Sequence, residues 1–367
     1  MVNRTSGVTL VLAAVLVSTW PGEYGRVRRA FGEGGSKPAA PEIHGVASPE
    51  MPGFRLTISG SVIDVNFASG ALETPLAAVH NWIAESACAV TTYYGRFPVK
   101  HLDLLIVPVE GQRGVLSGRT QSYGGASTKV LVGQLATEED LTHDWVMTHE
   151  MVHLAFPSVA EEHHWIEEGI ATYAEPIARV EAGNLEPRSV WHDLMEGLPK
   201  GLPQAGDKGL DYTHTWARTY WGGALFCTLA DVEIRQRTNN RRGLQDALRA
   251  ILAAGGSMEV SWPLERALMV GDKATGVSVL TELYQQMKAR AVQYDLAGLW
   301  NKLGLEASGK VSFNDQAPLA AVRRAITATP AGTTSCYPTF DNSVGPPDLR
   351  SSDMDVSAFA EPFHGFE

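Results

Sequence analysis

Two histidines four residues apart, with a glutamate beside the first, constrain this chain more than any other segment: His149-Glu150-Met151-Val152-His153. The pattern is H-E-x-x-H. On a helix, positions i and i+4 lie one turn apart on one face, so both imidazoles can grip one zinc ion while Glu150 reaches a water on it. A catalytic zinc needs a third protein ligand and keeps a fourth position open for that water. The surroundings favour a metal over an incidental match. Leu141, Trp145, Val146, Met147, Met151, Val152, Leu154 and Phe156 place apolar groups nearly all round the stretch from Thr137 to Phe156, which predicts one buried central helix. Buried histidines and a buried carboxylate need partners, and zinc with a polarised water supplies them. Thr137 with Asp140 reads as a capping box at the start of this helix, and Pro157 follows its last turn.

The third ligand is expected from a second acidic helix start, Trp165-Ile166-Glu167-Glu168-Gly169-Ile170-Ala171-Thr172-Tyr173. A metzincin would carry a histidine six residues past His153, where this chain has Val159; a thermolysin-like spacing would put an acid near Tyr173. The segment instead resembles the gluzincin aminopeptidases, the membrane alanyl and glycyl aminopeptidase families. Their W-x-x-E-G-x-x-x-Y pattern is matched by Trp165, Glu168, Gly169 and Tyr173. The resemblance implies one zinc per chain, held by His149, His153 and Glu168, with a shorter spacing after His153 than is typical of the alanyl family. Glu167 is the competing ligand, and His163 or His164 could also reach in. Glu175 is read either as orienting a ligand from behind or as a solvated surface carboxylate.

A third matching segment begins at Tyr220-Trp221-Gly222-Gly223. Those aminopeptidases carry a Y-x-K-G helix start whose tyrosine hydroxyl stabilises the oxyanion of the tetrahedral intermediate. Tyr220 matches that tyrosine, Gly222 replaces the lysine, and His214 is the alternate donor. The chemistry implied is a zinc-dependent peptidase with Glu150 as general base. Peptide or unfolded protein is then the substrate partner. Two alternatives stand beside it: a catalytically weak relative that captures peptides, and a zinc hydrolase of non-peptide substrates.

The fold expected is α+β and zincin-like (thermolysin-like), a small mixed sheet with the active-site helix followed by a mainly helical subdomain. Leu56 to Phe67 alternates as a strand, Ala71 to Ala89 has helical periodicity, and Leu102 to Val109 is an apolar strand. Tyr123-Gly124-Gly125-Ala126-Ser127 is a candidate for close approach of a substrate backbone, with Gly124 and Gly125 as contacts, or an ordinary hairpin loop. The glutamate by which alanyl aminopeptidases hold a free amino group is missing there. Downstream, Leu244-Ala247-Leu248-Ile251, Leu280-Leu283-Tyr284-Met287 and Leu296-Leu299-Trp300-Leu303 have helical spacing.

These readings divide the chain into a signal peptide or N-terminal anchor (1–20), a flexible linker (21–49), a sheet subdomain (50–135), a zinc-site and helical subdomain (136–326) and a poorly ordered tail (327–367). The apolar run Val8 to Val17 after Arg4 points to export, with membrane association only through an uncleaved anchor. A net charge of −11 argues against nucleic acid as a partner. Cys88 and Cys227 sit in apolar helical stretches and read as buried thiols; with Cys336, an exported chain could form one disulfide.

Overall fold

Phe54, Leu56 and Ile58 are buried while Arg55 and Thr57 between them are not, the alternation of a strand with one face on a core. In the computed structural model, which describes residues 51–308, 310–328, 336 and 338–343, this is β1 (Phe54–Ile58). The run expected as one strand from Leu56 to Phe67 is a hairpin instead: Ser59 and Gly60 turn left-handed (φ 49° and 76°) into β2 (Ser61–Phe67). Then come α1 (Leu76–Tyr94), β3 (His101–Val109), β4 (Val115–Gln121) and β5 (Ser127–Gly133). Two short helices, α2 (Glu138–Thr142) and α3 (Val146–His153), precede the long α4 (His164–Ala182). The rest is largely helical: α5 (Pro187–Gly197), a π-helical turn at Arg218–Gly222, α6 (Gly223–Thr238), α7 (Leu244–Ala253), α8 (Leu264–Thr275), α9 (Val279–Met287) and α10 (Leu296–Leu303). A small hairpin of β6 (Leu305–Ser308) and β7 (Lys310–Phe313), α11 (Ala320–Ile326) and β8 (Thr339–Asp341) complete it.

The main sheet runs β4-β5-β3-β2-β1-β8, with β2–β3 and β3–β5 parallel and the other pairs antiparallel. Its mixed sheet followed by helices is the α+β arrangement expected. The boundary near residue 135 is one of topology and not of packing. α1, from the sheet half, packs against α3 and α4, and one apolar core runs from Phe54 on β1 to Ile326 on α11.

Three further expectations are corrected. The stretch from Thr137 to Phe156 is not one helix. The capping box is present, Asp140 N donating to Thr137 Oγ1 (3.2 Å) and Thr137 N to Asp140 Oδ2 (2.9 Å), but α2 stops at Thr142. Asp144 restarts the chain by accepting from Val146 N and Met147 N, both at 2.9 Å. The tail is not poorly ordered throughout: Thr339–Asp341 pairs with β1, closing the edge of the sheet. Cys88 is not a free thiol, because it forms a disulfide with Cys336, and this bond ties the tail to α1. Cys227 is free and buried. The signal and linker stretches, 1–20 and 21–49, lie outside the described residues.

Candidate metal centre

Asp144 fixes the H-E-x-x-H helix at its start. Besides capping α3, its Oδ2 accepts from Trp82 Nε1 of α1 at 2.9 Å, so the helix end is tied into the core. Three points of the W-x-x-E-G-x-x-x-Y segment fix α4 opposite. Trp165 Nε1 donates to Asp211 Oδ1 at 2.8 Å, and the Tyr173 hydroxyl donates to Asp231 Oδ2 on α6 at 2.8 Å. Between them Gly169 lies against Gly223: a Cβ on Gly169 would stand 2.3 Å from the Gly223 carbonyl carbon. Only two glycines let the α4 and α6 backbones approach so closely.

This framing brings His149, His153 and Glu168 together, one ligand atom from each within 4.8 Å of the others. His149 Nε2 is 3.3 Å and His153 Nε2 3.6 Å from Glu168 Oε2. Ligand atoms bonded to a tetrahedral zinc at about 2.0–2.1 Å stand about 3.4 Å apart, so the spacing and the two-imidazole, one-carboxylate donor set fit that ion. All three side chains are largely buried. Burial by itself would raise the Glu168 carboxyl, but the His153 charge and hydrogen bonds from His149, His153 and His164 hold it well below the usual carboxylate range. For His153, burial opposes the charge; the charge and hydrogen bond of Glu168, with Glu150 and Glu167 beyond, prevail and raise it to about 9.

The competing ligands turn elsewhere. Glu167 accepts from Val159 N at 3.4 Å, and its other oxygen is 3.0 Å from His164 Nδ1. His164 Nε2 is 3.4 Å from the outer oxygen of Glu168, so this imidazole bridges the two carboxylates from outside the cluster. His163 Nδ1 pairs with Asp211 Oδ1 at 3.1 Å. Glu175 is no surface carboxylate: it is 1 % exposed, burial pushes it up to about 8, and it is paired with Arg179 at 3.2 Å.

Glu150 is buried beside the cluster, and the residues that hold it come from β4, which the sequence reading did not single out. Thr120 Oγ1 is 2.8 Å from Glu150 Oε2 and 3.0 Å from the Glu150 carbonyl oxygen. A Cβ on Gly118, two residues back on the same strand face, would stand 2.4 Å from Glu150 Cγ. Gly124 and Gly125, the candidate substrate contacts, form the exposed turn between β4 and β5, with φ of 77° and 130°. Tyr220 sits in the π-helical turn with its ring stacked on His149 (centroids 6.3 Å apart, 17° between planes) and on Trp216 (5.5 Å, 25°). Burial, then the charges of Glu168 and Glu150, push its hydroxyl well above the ordinary phenol value. His214 lies exposed on the loop before that turn.

Asp64, His101 and Asp103 on β2 and β3 form a second group with ligand spacing among the described residues. Arg55 already engages both oxygens of Asp64, at 2.6 and 2.8 Å, and holds its carboxyl below the usual range. The Asp64 charge that a cation would need there is already neutralised.

No protein-family model matches the chain, and no curated protein matches it in sequence. Among solved structures it is similar to zinc peptidases of the M1 kind. An aminopeptidase N family protein from Idiomarina loihiensis aligns with 68 % of this chain and 49 % of its own length, at 14 % identity and a TM-score of 0.47. An M1 zinc metallopeptidase from Deinococcus radiodurans covers 66 % and 52 %, at 16 % identity and a TM-score of 0.44. Native yeast LTA4 hydrolase covers 68 % and 43 %, at 12 % and 0.40. The chain spans about half the length of the solved structures it matches.

Proposed function

We propose that this chain is a zinc-dependent peptidase in which His149, His153 and Glu168 hold the metal and Glu150 is the general base. The observation that carries the reading is the convergence of two imidazoles and one carboxylate at zinc spacing, with a second carboxylate fixed beside them. A zinc ion held by these residues would lower the pKa of a water toward about 7 and polarise a carbonyl. Glu150 takes the proton of the attacking water and passes it to the leaving amine. The Tyr220 hydroxyl, which keeps its proton because it is half-buried beside Glu168 and Glu150, donates to the carbonyl oxygen as negative charge develops. His214, being exposed, is the weaker candidate for that donor.

The substrate class is peptide or unfolded chain, and the compartment is outside the cytoplasm. The Cys88–Cys336 disulfide supports the second point, since such bonds persist in oxidising surroundings. The test is a mixed peptide library incubated with the full chain and with its Glu150→Gln form, read by mass spectrometry with zinc content measured on both. Products made by the parent alone, at equal zinc content, are the expected result. No cleavage by the zinc-loaded parent would overturn the peptidase reading.

A further inference from the structure

Thr120 makes two contacts to one residue of another element, and neither resembles the ordinary satisfaction of a strand hydroxyl. Its Oγ1 reaches both the side-chain Oε2 and the backbone oxygen of Glu150, thirty residues on and on α3. A hydroxyl has one proton, so Thr120 cannot spend it on the carboxylate and also donate to Thr128, whose Oγ1 is 3.0 Å away. Thr128, 1 % exposed, therefore donates to Thr120, and Thr120 donates to Glu150, its one proton shared between Oε2 at 2.8 Å, the shorter contact, and the carbonyl oxygen at 3.0 Å. The relay starts from β5, passes through β4 and ends on the carboxylate.

The backbone around it is fitted to the same purpose. β4 packs against α3 and lies at the edge of the sheet. At Gly118 it comes so near that any side chain would overlap Glu150: a Cβ would meet Cγ at 2.4 Å, Oε1 at 2.7 Å and Cδ at 2.8 Å. Gly118 thus leaves the space that the Glu150 side chain fills, and Thr120 supplies the bond that fixes its rotation. Threonine in a strand is stiff at χ1, so its hydroxyl is a fixed donor.

We infer that Thr120 is a positioning residue for the general base, holding the Glu150 carboxylate at the zinc site through the Thr128–Thr120–Glu150 hydrogen-bond relay. This rests on the peptidase reading above. A helix alone sets only where the Glu150 Cα stands; three side-chain torsions remain, and a base must be within hydrogen-bond reach of the proton it takes. Thr120 removes that freedom before substrate arrives.

The test uses the full chain carrying Thr120→Val, which keeps the shape and deletes the hydroxyl, and Thr120→Ser, which restores it. The quantities are zinc content, kcat and KM on a peptide the parent cleaves, and crystal structures of the metal-free proteins. Thr120→Val is expected to lower kcat by about 10- to 100-fold, with KM and zinc content unchanged. Thr120→Ser is expected to recover most of that loss. In the metal-free Thr120→Val structure the Glu150 carboxylate should leave its place beside β4. An unchanged kcat in Thr120→Val would overturn the inference, as would an unmoved Glu150 side chain. Loss of zinc together with activity would also overturn it, since Thr120 would then be supporting the helix and not the base. If the parent cleaves no peptide, the peptidase reading falls, while the Glu150 position in the metal-free variant still decides whether Thr120 fixes it.

Discussion

Gly169 and Gly223 meet backbone to backbone where α4 crosses α6: a Cβ on Gly223 would stand 2.1 Å from the Trp165 carbonyl oxygen and 2.6 Å from the Gly169 Cα. Gly169 directly follows Glu168, so the contact that sets the crossing also sets the carboxylate. In an exposed helix, Gly→Ala stabilises by about 1 kcal/mol. Here Gly169→Ala should do the reverse, because overpacking a close contact costs about 1–3 kcal/mol or more. Thermal unfolding should show a lower Tm, and zinc content should fall with it. A Tm at or above that of the parent would show that the two helices can part without loss.

Tyr220 and His214 separate cleanly as candidate oxyanion donors. Tyr220 stacks on the candidate ligand His149, whereas His214 is exposed on the preceding loop. Tyr220→Phe removes one hydroxyl and keeps both ring stacks, so zinc content and fold should persist while kcat falls by about 100- to 1000-fold. His214→Ala should leave kcat nearly unchanged. The reverse ordering in steady-state kinetics would assign the donor to His214.

The disulfide and the candidate metal centre lie far apart in the sheet order. β8, which follows Cys336, pairs at one edge, and β4, which packs on α3, forms the other. Cys88 and Cys336 are 248 residues apart, and closing so long a loop restricts the unfolded chain by about 5–6 kcal/mol on the chain-entropy view. Cys336→Ser should therefore lower the denaturation midpoint by a corresponding amount. Zinc content and kcat below the transition should stay as in the parent. Loss of zinc in the folded variant would mean that the tail acts on the site.

What could be read from the sequence follows the range of each interaction. The His149–His153 spacing, the Thr137–Asp140 box and the Glu168–Gly169 pair are local patterns, and each occurs in the structure as a local feature on one helix. The break at Asp144 was missed because apolar residues continue through it, and periodicity carries no mark of a side chain that caps a new helix. Thr120 and Gly118 gave no signal because their partner is on another element; in sequence they are a hydroxyl and a glycine in a polar strand. The same holds for β8, whose composition reads as a loose tail while its order comes from pairing with β1, and Cys336 beside it is bonded to α1. Tyr173 was legible as part of a motif, but its reason, a hydrogen bond to Asp231 on α6, was not.

Glu181, near the end of α4, makes stability depend on pH without touching the candidate metal centre. Gln245 Nε2 donates to both of its oxygens at 2.8 Å. Burial nevertheless pushes its carboxyl up to about 7, against the opposing pull of Gln245, Arg249 and Arg235. In the unfolded chain the group titrates near 4.5. Between those values the folded state binds more protons than the unfolded one, so stability falls as pH rises through that window. The contribution is whole below about 4.5 and gone above about 7. Glu181→Gln stays neutral throughout, so its stability relative to the parent should climb across the window by up to about 3 kcal/mol. Urea unfolding of both proteins at pH 5, 6, 7 and 8 measures this. A difference that stays flat across the series would show that Glu181 is ionised in the folded protein, its charge carried by Arg249 and Arg235.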